Sequence, residues 1–275
     1  MSDKNVLPTI WFAPDDLWAI ISEVLWRLDP PSPTGRPRIN QRTAFDAIVF
    51  RFRSGCQWDH MPKDYGDSAS VHRTFQRWVD KGVLVPLWGE IVSKCDDLKG
   101  VKWDFQAADG WLGKARMGGD KRGRNPTDRG KQGTKKSVLV DEQGGPLGLV
   151  IDGANVHDCK LLERTINAIV VPRPDPQVRP QTLILDKGYD NPTGREAVAD
   201  SGYIPEIAKI GEEKRDDTGE KTKPARRYVV ERTLSWLSKC RGLLVRYEKK
   251  AKNYLGYLQI ACALIWFRIL AKLAT

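Results

Sequence analysis

Along residues 11–96 the apolar positions recur at three- and four-residue intervals, the spacing of helices with one buried side. PDDLWAIISEVL opens on Asp15 and Asp16 and then places Leu17, Ile20, Ile21, Val24 and Leu25 on one stripe. After the Pro-rich, basic break PPSPTGRPR (30–38), NQRTAFDAIVFRFRSG predicts a second helix closed by Gly55. SASVHRTFQRWVDKGVL predicts a third, capped by Ser68 or Ser70. From about residue 101 the pattern turns to the β-branched and apolar runs of strands: VKWDFQAADGWL, KSVLVDEQGGPLGLVIDGAN and QTLILDKG. DEQGGP between two of these runs signals a hairpin turn. Helical spacing returns at about 158–170, at 192–201 and in RRYVVERTLSWLSKCRGLL. The chain therefore divides into an all-helical part, 1–100, and an α/β part, 101–275, with a mixed sheet and flanking helices.

Two polar stretches interrupt this order. GKARMGGDKRGRNPTDRGKQGTKK (113–136) is rich in glycine and carries Lys121, Arg122 and Arg124 among its basic residues. It predicts a long loop, mobile when free, that orders against phosphates. Residues 211–226 read as a solvated linker. In the third helix His72, Arg73, Gln76 and Arg77 share the polar side, while Val71, Phe75, Trp78 and Val79 face a core. That arrangement suits a helix-turn-helix whose last helix enters the major groove. It equally suits a small bundle with a solvated basic face.

Charge sharpens the picture. Forty-five Lys+Arg against 35 Asp+Glu give a net +10, which favours a polyanionic partner, nucleic acid before anionic membrane. The five cysteines form no CxxC pair and no apolar leader opens the sequence, so the chain reads as cytoplasmic. None of the three histidines stands at zinc-ligand spacing from a cysteine. YLGYLQIACALIWFRILAKL (254–273) approaches the length of a membrane span, but Gln259, Arg268 and Lys272 interrupt it, and it reads as a buried core helix.

Metal chemistry, if present, must then rest on carboxylates, and three of them hold unusual places. Asp109 lies inside a strand pattern among Ala107, Ala108 and Trp111, where a charge is costly unless compensated. Asp186 ends the apolar run Leu183–Ile184–Leu185, and Glu231 sits in a helix one turn from Arg227. Each acid has an ordinary reading, as strand terminator, cap or surface residue. Together, oxygen ligands on separate elements suit Mg²⁺ or Mn²⁺ and phosphoryl transfer at a two-metal site.

ADGWL, LVIDGANVHD, LILDKGYD and RRYVVERTLSWLSKCRGLLVRYE, in this order, resemble the catalytic half of bacterial DDE transposases. With WFAPDDLWAIISEVL, RTAFDAIVFRFRSGCQWDHMPKDYG, VHRTFQRWVDKGV and LQIACALIWFRIL they resemble more closely the insertion-sequence-five family, over about residues 10–270. The resemblance implies an RNase H-like sheet in the second part and Asp109, Asp186 and Glu231 as the catalytic, metal-binding triad. It also implies DNA contacts from Arg227 and Lys239 on the helix of Glu231. Here the sequence departs from the family pattern: Pro224 stands where a tyrosine belongs, and Ser238 where the lysine belongs, with Lys239 one place late. Tyr189, Asp190 and Asp158 lie in matching motifs, with packing and direct roles both open. The implied activity is Mg²⁺- or Mn²⁺-dependent cleavage and strand transfer of double-stranded DNA, at terminal inverted repeats and in target DNA. A homodimer or higher oligomer on DNA, at the nucleoid and away from membranes, would carry it out. The alternatives are a catalytically inactive DNA-binding regulator and a general nuclease.

Overall fold

The computed structural model describes residues 9–207 and 226–274, so most of the expected 211–226 linker lies outside the described residues. The chain forms two compact units. Unit 1 combines residues 1–100 with 239–243 and 252–275, and unit 2 comprises 101–238 and 244–251. The break at 100/101 falls where the sequence pattern changes. The C-terminal helix, assigned from sequence to the α/β part, belongs instead to the helical unit.

Unit 1 opens with α1 (Asp15–Leu28), α2 (Gln41–Ser54), α3 (Ser68–Asp80) and α4 (Leu84–Asp97). In α1 the expected stripe Leu17, Ile20, Ile21, Val24 and Leu25 is buried, and Asp15 and Asp16 complement the positive end of the helix. Asn40 caps α2 by accepting from the backbone N–H groups of Arg42 and Thr43, and Gly55 ends it in the left-handed conformation. The cap of α3 is Asp67, which accepts from Ser70 N–H, rather than Ser68 or Ser70 themselves. The connection from α2 to α3 spans residues 55–67 with two 3-10 turns, longer than the tight turn expected of a helix-turn-helix. After the short α8 (Arg241–Leu244) comes α9 (Ala251–Leu273), long and apolar enough for a membrane by length and composition. Its Tyr254, Tyr257, Leu258 and Trp266 are instead buried in unit 1. Tyr257 stacks on Phe75 of α3, with ring centroids 4.4 Å apart. Gly256 permits close approach, since a Cβ there would lie 2.9 Å from Leu84 and Val79 side-chain atoms.

Asp29, just past α1, is fully buried and collects cations. Arg77 donates through Nε, Lys81 through Nζ, Arg38 through Nη1 and Trp78 through its indole N–H. Burial alone would raise its pKa, but the hydrogen bonds from Lys81 and Arg77 and the Arg77 charge hold it below the usual value.

Unit 2 is built on a seven-stranded sheet. Its strands are β1 (Phe105–Ala115), β2 (Gly123–Arg124), β3 (Gln132–Asp141), β4 (Pro146–Gly153), β5 (Thr182–Leu185), β6 (Ile204–Ile207) and β7 (Val245–Arg246). The path runs β2–β3–β1–β5–β6, with β4 also on β3 and β7 also on β1. The β3 strand is antiparallel to β1 and β4, whereas β5 is parallel to β1 and β6 to β5. Helices α5 (Asp158–Ile166), α6 (Pro192–Asp200) and α7 (Tyr228–Ser238) flank it. This is the expected mixed α/β sheet in the RNase H-like arrangement.

The predicted hairpin joins β3 to β4, and Asp141 holds its turn together by accepting from the N–H groups of Gln143 and Gly145 as well as Lys102. Burial outweighs those donors and pushes the Asp141 carboxyl up to about 6. The stretch 113–136 is not the long loop its composition suggests. It supplies the end of β1, all of β2 and the start of β3. Lys136 is fully buried, its Nζ 3.2 Å from the centroid of the Trp111 ring. Glycine and lysine content misleads here because cross-strand pairing, not local propensity, orders the segment.

Candidate active site

The site forms where β1 runs past the end of β5. The parallel register pairs Phe105 with Thr182, Gln106 with Leu183 and Ala107 with Ile184. The same offset brings Asp109 level with Asp186, the first residue beyond β5. Leu183, Ile184 and Leu185 are all buried, so both faces of β5 are covered, as the continuous apolar run implies. The chain then leaves in a 3-10 turn, Lys187–Tyr189, and the Asp186 carboxylate projects at the tip.

The third acid arrives on α7. Val229, Val230, Thr233 and Leu237 bury one side of this helix, and Thr233 Oγ1 donates to the carbonyl of Gly144 in the hairpin turn. Glu231 is left on the exposed side, facing Arg227 one turn earlier. The Arg227 guanidinium joins two of the three carboxylates. Nη1 lies 2.6 Å from Asp186 Oδ1, and Nη2 donates to Glu231 Oε1 at 2.6 Å. Its pKa is raised: burial opposes this, but the Glu231 hydrogen bond and the Asp186 and Asp109 charges prevail. Asp109 accepts from the Gly110 N–H at 2.7 Å. Its pKa is raised, first by burial and further by Asp186 and Asp158, against the Gly110 N–H and Arg227.

A fourth carboxylate packs on β1 over Gly110, the residue after Asp109. Asp158, first residue of α5, accepts from Lys135 Nζ at 2.7 Å through Oδ2. Its Oδ1 packs over Gly110, where a Cβ would approach to 2.1 Å. That oxygen and the hydroxyl of Tyr189 are buried without a hydrogen-bond partner. Asp190 turns away and pairs with Arg195.

The structure thus joins Asp186 and Glu231, from a strand end and a helix, through one guanidinium, and sets Asp109 of β1 level with Asp186. Among the described residues no three acid, histidine or cysteine side chains already stand as a closed cage for an ion. Arg227 stands between Asp186 and Glu231. The donor set is nonetheless all oxygen and suits a hard divalent ion once the guanidinium yields.

The basic residues fare differently. Lys121, Arg122 and Arg124 are exposed around β2, further along β3 than Val138, which faces Asp109. Arg73 is exposed on α3, and Gln76 bonds His72. Arg77 donates through Nε to buried Asp29, so it has a partner within unit 1 that the sequence did not reveal. Arg227 precedes the first residue of α7 and Lys239 follows its last, so neither lies within the helix. Reading Arg227 as a DNA contact missed its bridge to Asp186. The four-residue spacing to Glu231 was the available signal, and nothing local announced the second partner.

Family models cover both units. Residues 14–88 match a family described as "Putative transposase of IS4/5 family", and residues 97–266 match "Transposase DDE domain". The chain belongs to the DDE transposases of the IS4/5 type. A relative from Burkholderia cepacia, named "Putative transposase for insertion sequence element IS402", is 38% identical over 160 residues, 57% of this chain and 74% of the relative. A Sinorhizobium fredii relative, named "Uncharacterized protein y4sN", is 32% identical over 84 residues, 30% of this chain and 64% of the relative. The protein is accordingly a DNA transposase, and the acids described above lie within its matched DDE region.

Proposed function

We propose that Asp109, Asp186 and Glu231 are the catalytic carboxylates with which this transposase cleaves the ends of its element and joins them to target DNA. The observation that carries this reading is that Asp186 and Glu231, from separate elements, share the guanidinium of Arg227, with Asp109 level with Asp186 on the neighbouring strand. Acids that served only to end a strand or solvate a helix would have no reason to share a counter-ion.

The three carboxylates would hold Mg²⁺ or Mn²⁺, which when bound supplies charge stabilisation for phosphoryl transfer and an activated oxygen nucleophile. The side chains themselves do the positioning. Asp109 and Asp186 are set level by the β1–β5 register, and Glu231 is carried by a helix anchored on the hairpin turn. Arg227 neutralises the acids in the free protein and, once displaced, is placed to meet a DNA phosphate. Lys121, Arg122 and Arg124 extend a positive edge from β2 for the duplex, and Arg73 is the exposed α3 residue suited to the same partner. Recognition of terminal inverted repeats and the joining of two ends call for at least two copies on DNA, in the cytoplasm at the nucleoid.

The test is cleavage of a labelled fragment carrying the element's end, with Mg²⁺ or Mn²⁺ and with chelator. Nicking at the end should require the metal and vanish in Asp186→Asn and Glu231→Gln. Sequence-specific binding with no metal-dependent nicking by the wild type would instead identify a regulator.

A further inference from the structure

We infer that Arg232 and Thr233 are positioning residues for Glu231, fixing its place along the sheet by locking α7 to the β3–β4 turn. The inference rests on the catalytic reading of Glu231 above.

Glu231, Arg232 and Thr233 are consecutive on α7, and the last two both donate into one turn. Thr233 Oγ1 lies 2.5 Å from the carbonyl oxygen of Gly144, and Arg232 Nη2 lies 2.6 Å from that of Gln143. An apolar helix side sets how deep a helix sits, but hydrophobic attraction is non-directional and leaves sliding and rotation soft. Two hydrogen bonds to neighbouring carbonyls are directional and restrain both. The acid one residue away is held with them.

Both sides of the contact are built for it. On the turn, the Asp141 carboxylate accepts from the N–H groups of Gln143 and Gly145, and its carbonyl accepts from that of Gly144, which fixes the backbone offered to α7. Gly144 has φ +80°, and a Cβ there would lie 2.8 Å from Thr233 Oγ1 and 3.1 Å from the Val229 carbonyl oxygen. Only glycine lets the helix come this close. On α7, Arg232 lies between the rings of Tyr228 and Trp236, its guanidinium carbon 5.2 and 5.0 Å from their centroids. A helix that needed only to cover the sheet would be served by Val229, Val230 and Leu237. A polar lock beside the acid meets a stricter need, since a catalytic group must be held to within about 0.5 Å.

The test combines single-turnover cleavage of the end fragment, at limiting and saturating DNA, with calorimetric titration of the DNA-free protein with Mn²⁺. Both are scaled to folded protein from thermal unfolding. Thr233→Val keeps the buried volume without the donor, and Arg232→Met keeps the stem without the guanidinium. Each should slow cleavage at saturating DNA about a hundredfold, the usual cost of misplacing a reacting group by about 1 Å. Each should also weaken Mn²⁺ binding about tenfold and leave the half-saturating DNA concentration unchanged. Thr233→Ser, which retains the hydroxyl, should recover both. Thr165→Val removes an equally buried hydroxyl from α5, where it bonds Ser137, neighbour of the Val138 that faces Asp109. Successive strand residues point to opposite faces, so this control should cost stability only. Arg232→Met decides the matter where Thr233→Val fails to fold. Wild-type cleavage and Mn²⁺ affinity in both variants, with both properties lost in Glu231→Gln, would overturn the positioning role and leave Glu231 in the centre. A loss in Thr165→Val as large as in Thr233→Val would overturn it too, as a general response to a lost buried hydroxyl. Undiminished cleavage and binding in Glu231→Gln would overturn the reading beneath it.

Discussion

Each unit of this transposase has a characteristic way of treating an acid it takes out of water. In unit 1, Asp29 is fully buried and saturated: three cationic side chains and an indole N–H converge on one carboxylate. In unit 2 the proportion is reversed. Asp186 and Glu231 share a single guanidinium, Asp109 relies on one backbone N–H, and Asp158 keeps one buried oxygen unpaired. A carboxylate that serves the fold is finished by the fold. The acids proposed to serve chemistry keep capacity for a further partner.

The comparison breaks most visibly if the under-satisfied acids can be removed without loss. Asp109→Asn should lower end cleavage by at least about a thousand-fold, about 4 kcal/mol of barrier, with little change in thermal unfolding. The saturated acid should behave oppositely. Asp29→Ala strands buried donors, and because Arg77 and Lys81 are partly exposed the cost should fall at the low end of the usual range, about 3 kcal/mol of stability. Cleavage per folded molecule should persist. Asp29 has a folded pKa below its usual 3.8, so its contribution is present above that pH and is lost as pH falls through the folded value. Denaturant melts of wild type and Asp29→Ala should therefore converge in acid.

A smaller effect separates Asp141, buried and structural yet within unit 2. Its folded value of about 6 lies above 3.8, so its contribution is full below that lower value and is lost as pH rises through about 6. Moving from pH 5 to pH 7 should cost about 1 kcal/mol through this group, a difference that disappears in Asp141→Asn. The smallest effect belongs to Arg227→Gln in metal-free protein. Asp186 and Glu231 are about half exposed, so after solvent screening the loss should be about 0.5 kcal/mol and should shrink in high salt. A loss as large as that of Asp29→Ala would mean that Arg227 is part of the fold's framework, and the contrast between the units would fail.

Much of this was legible in residue order alone. Apolar runs ending in Asp186 and enclosing Asp109 showed the strands, and DEQGGP showed the hairpin, because turn chemistry and side-chain period are local properties. The stripe of α1 was legible for the same reason. What escaped was decided at a distance. Lys135 and Lys136 read as part of a mobile basic loop, yet one pairs with Asp158 and the other lies on Trp111. Arg77 read as a DNA contact because its partner Asp29 lies two helices earlier. Nothing local marks Gly110, since only the fold places Asp158 over it.

The return of α9 to the helical unit bears on how the chain is made. Unit 1 draws its core from both sides of unit 2: Phe75 needs Tyr257 to stack on, and Cys95 donates to the carbonyl of Trp266. Synthesis proceeds from the N-terminus, so every residue of unit 2 has been made before most of α9 is translated. The sheet unit can close while the helices made before it still lack their last partner. The helical unit, begun first, is therefore completed by a helix that follows the sheet unit in the chain.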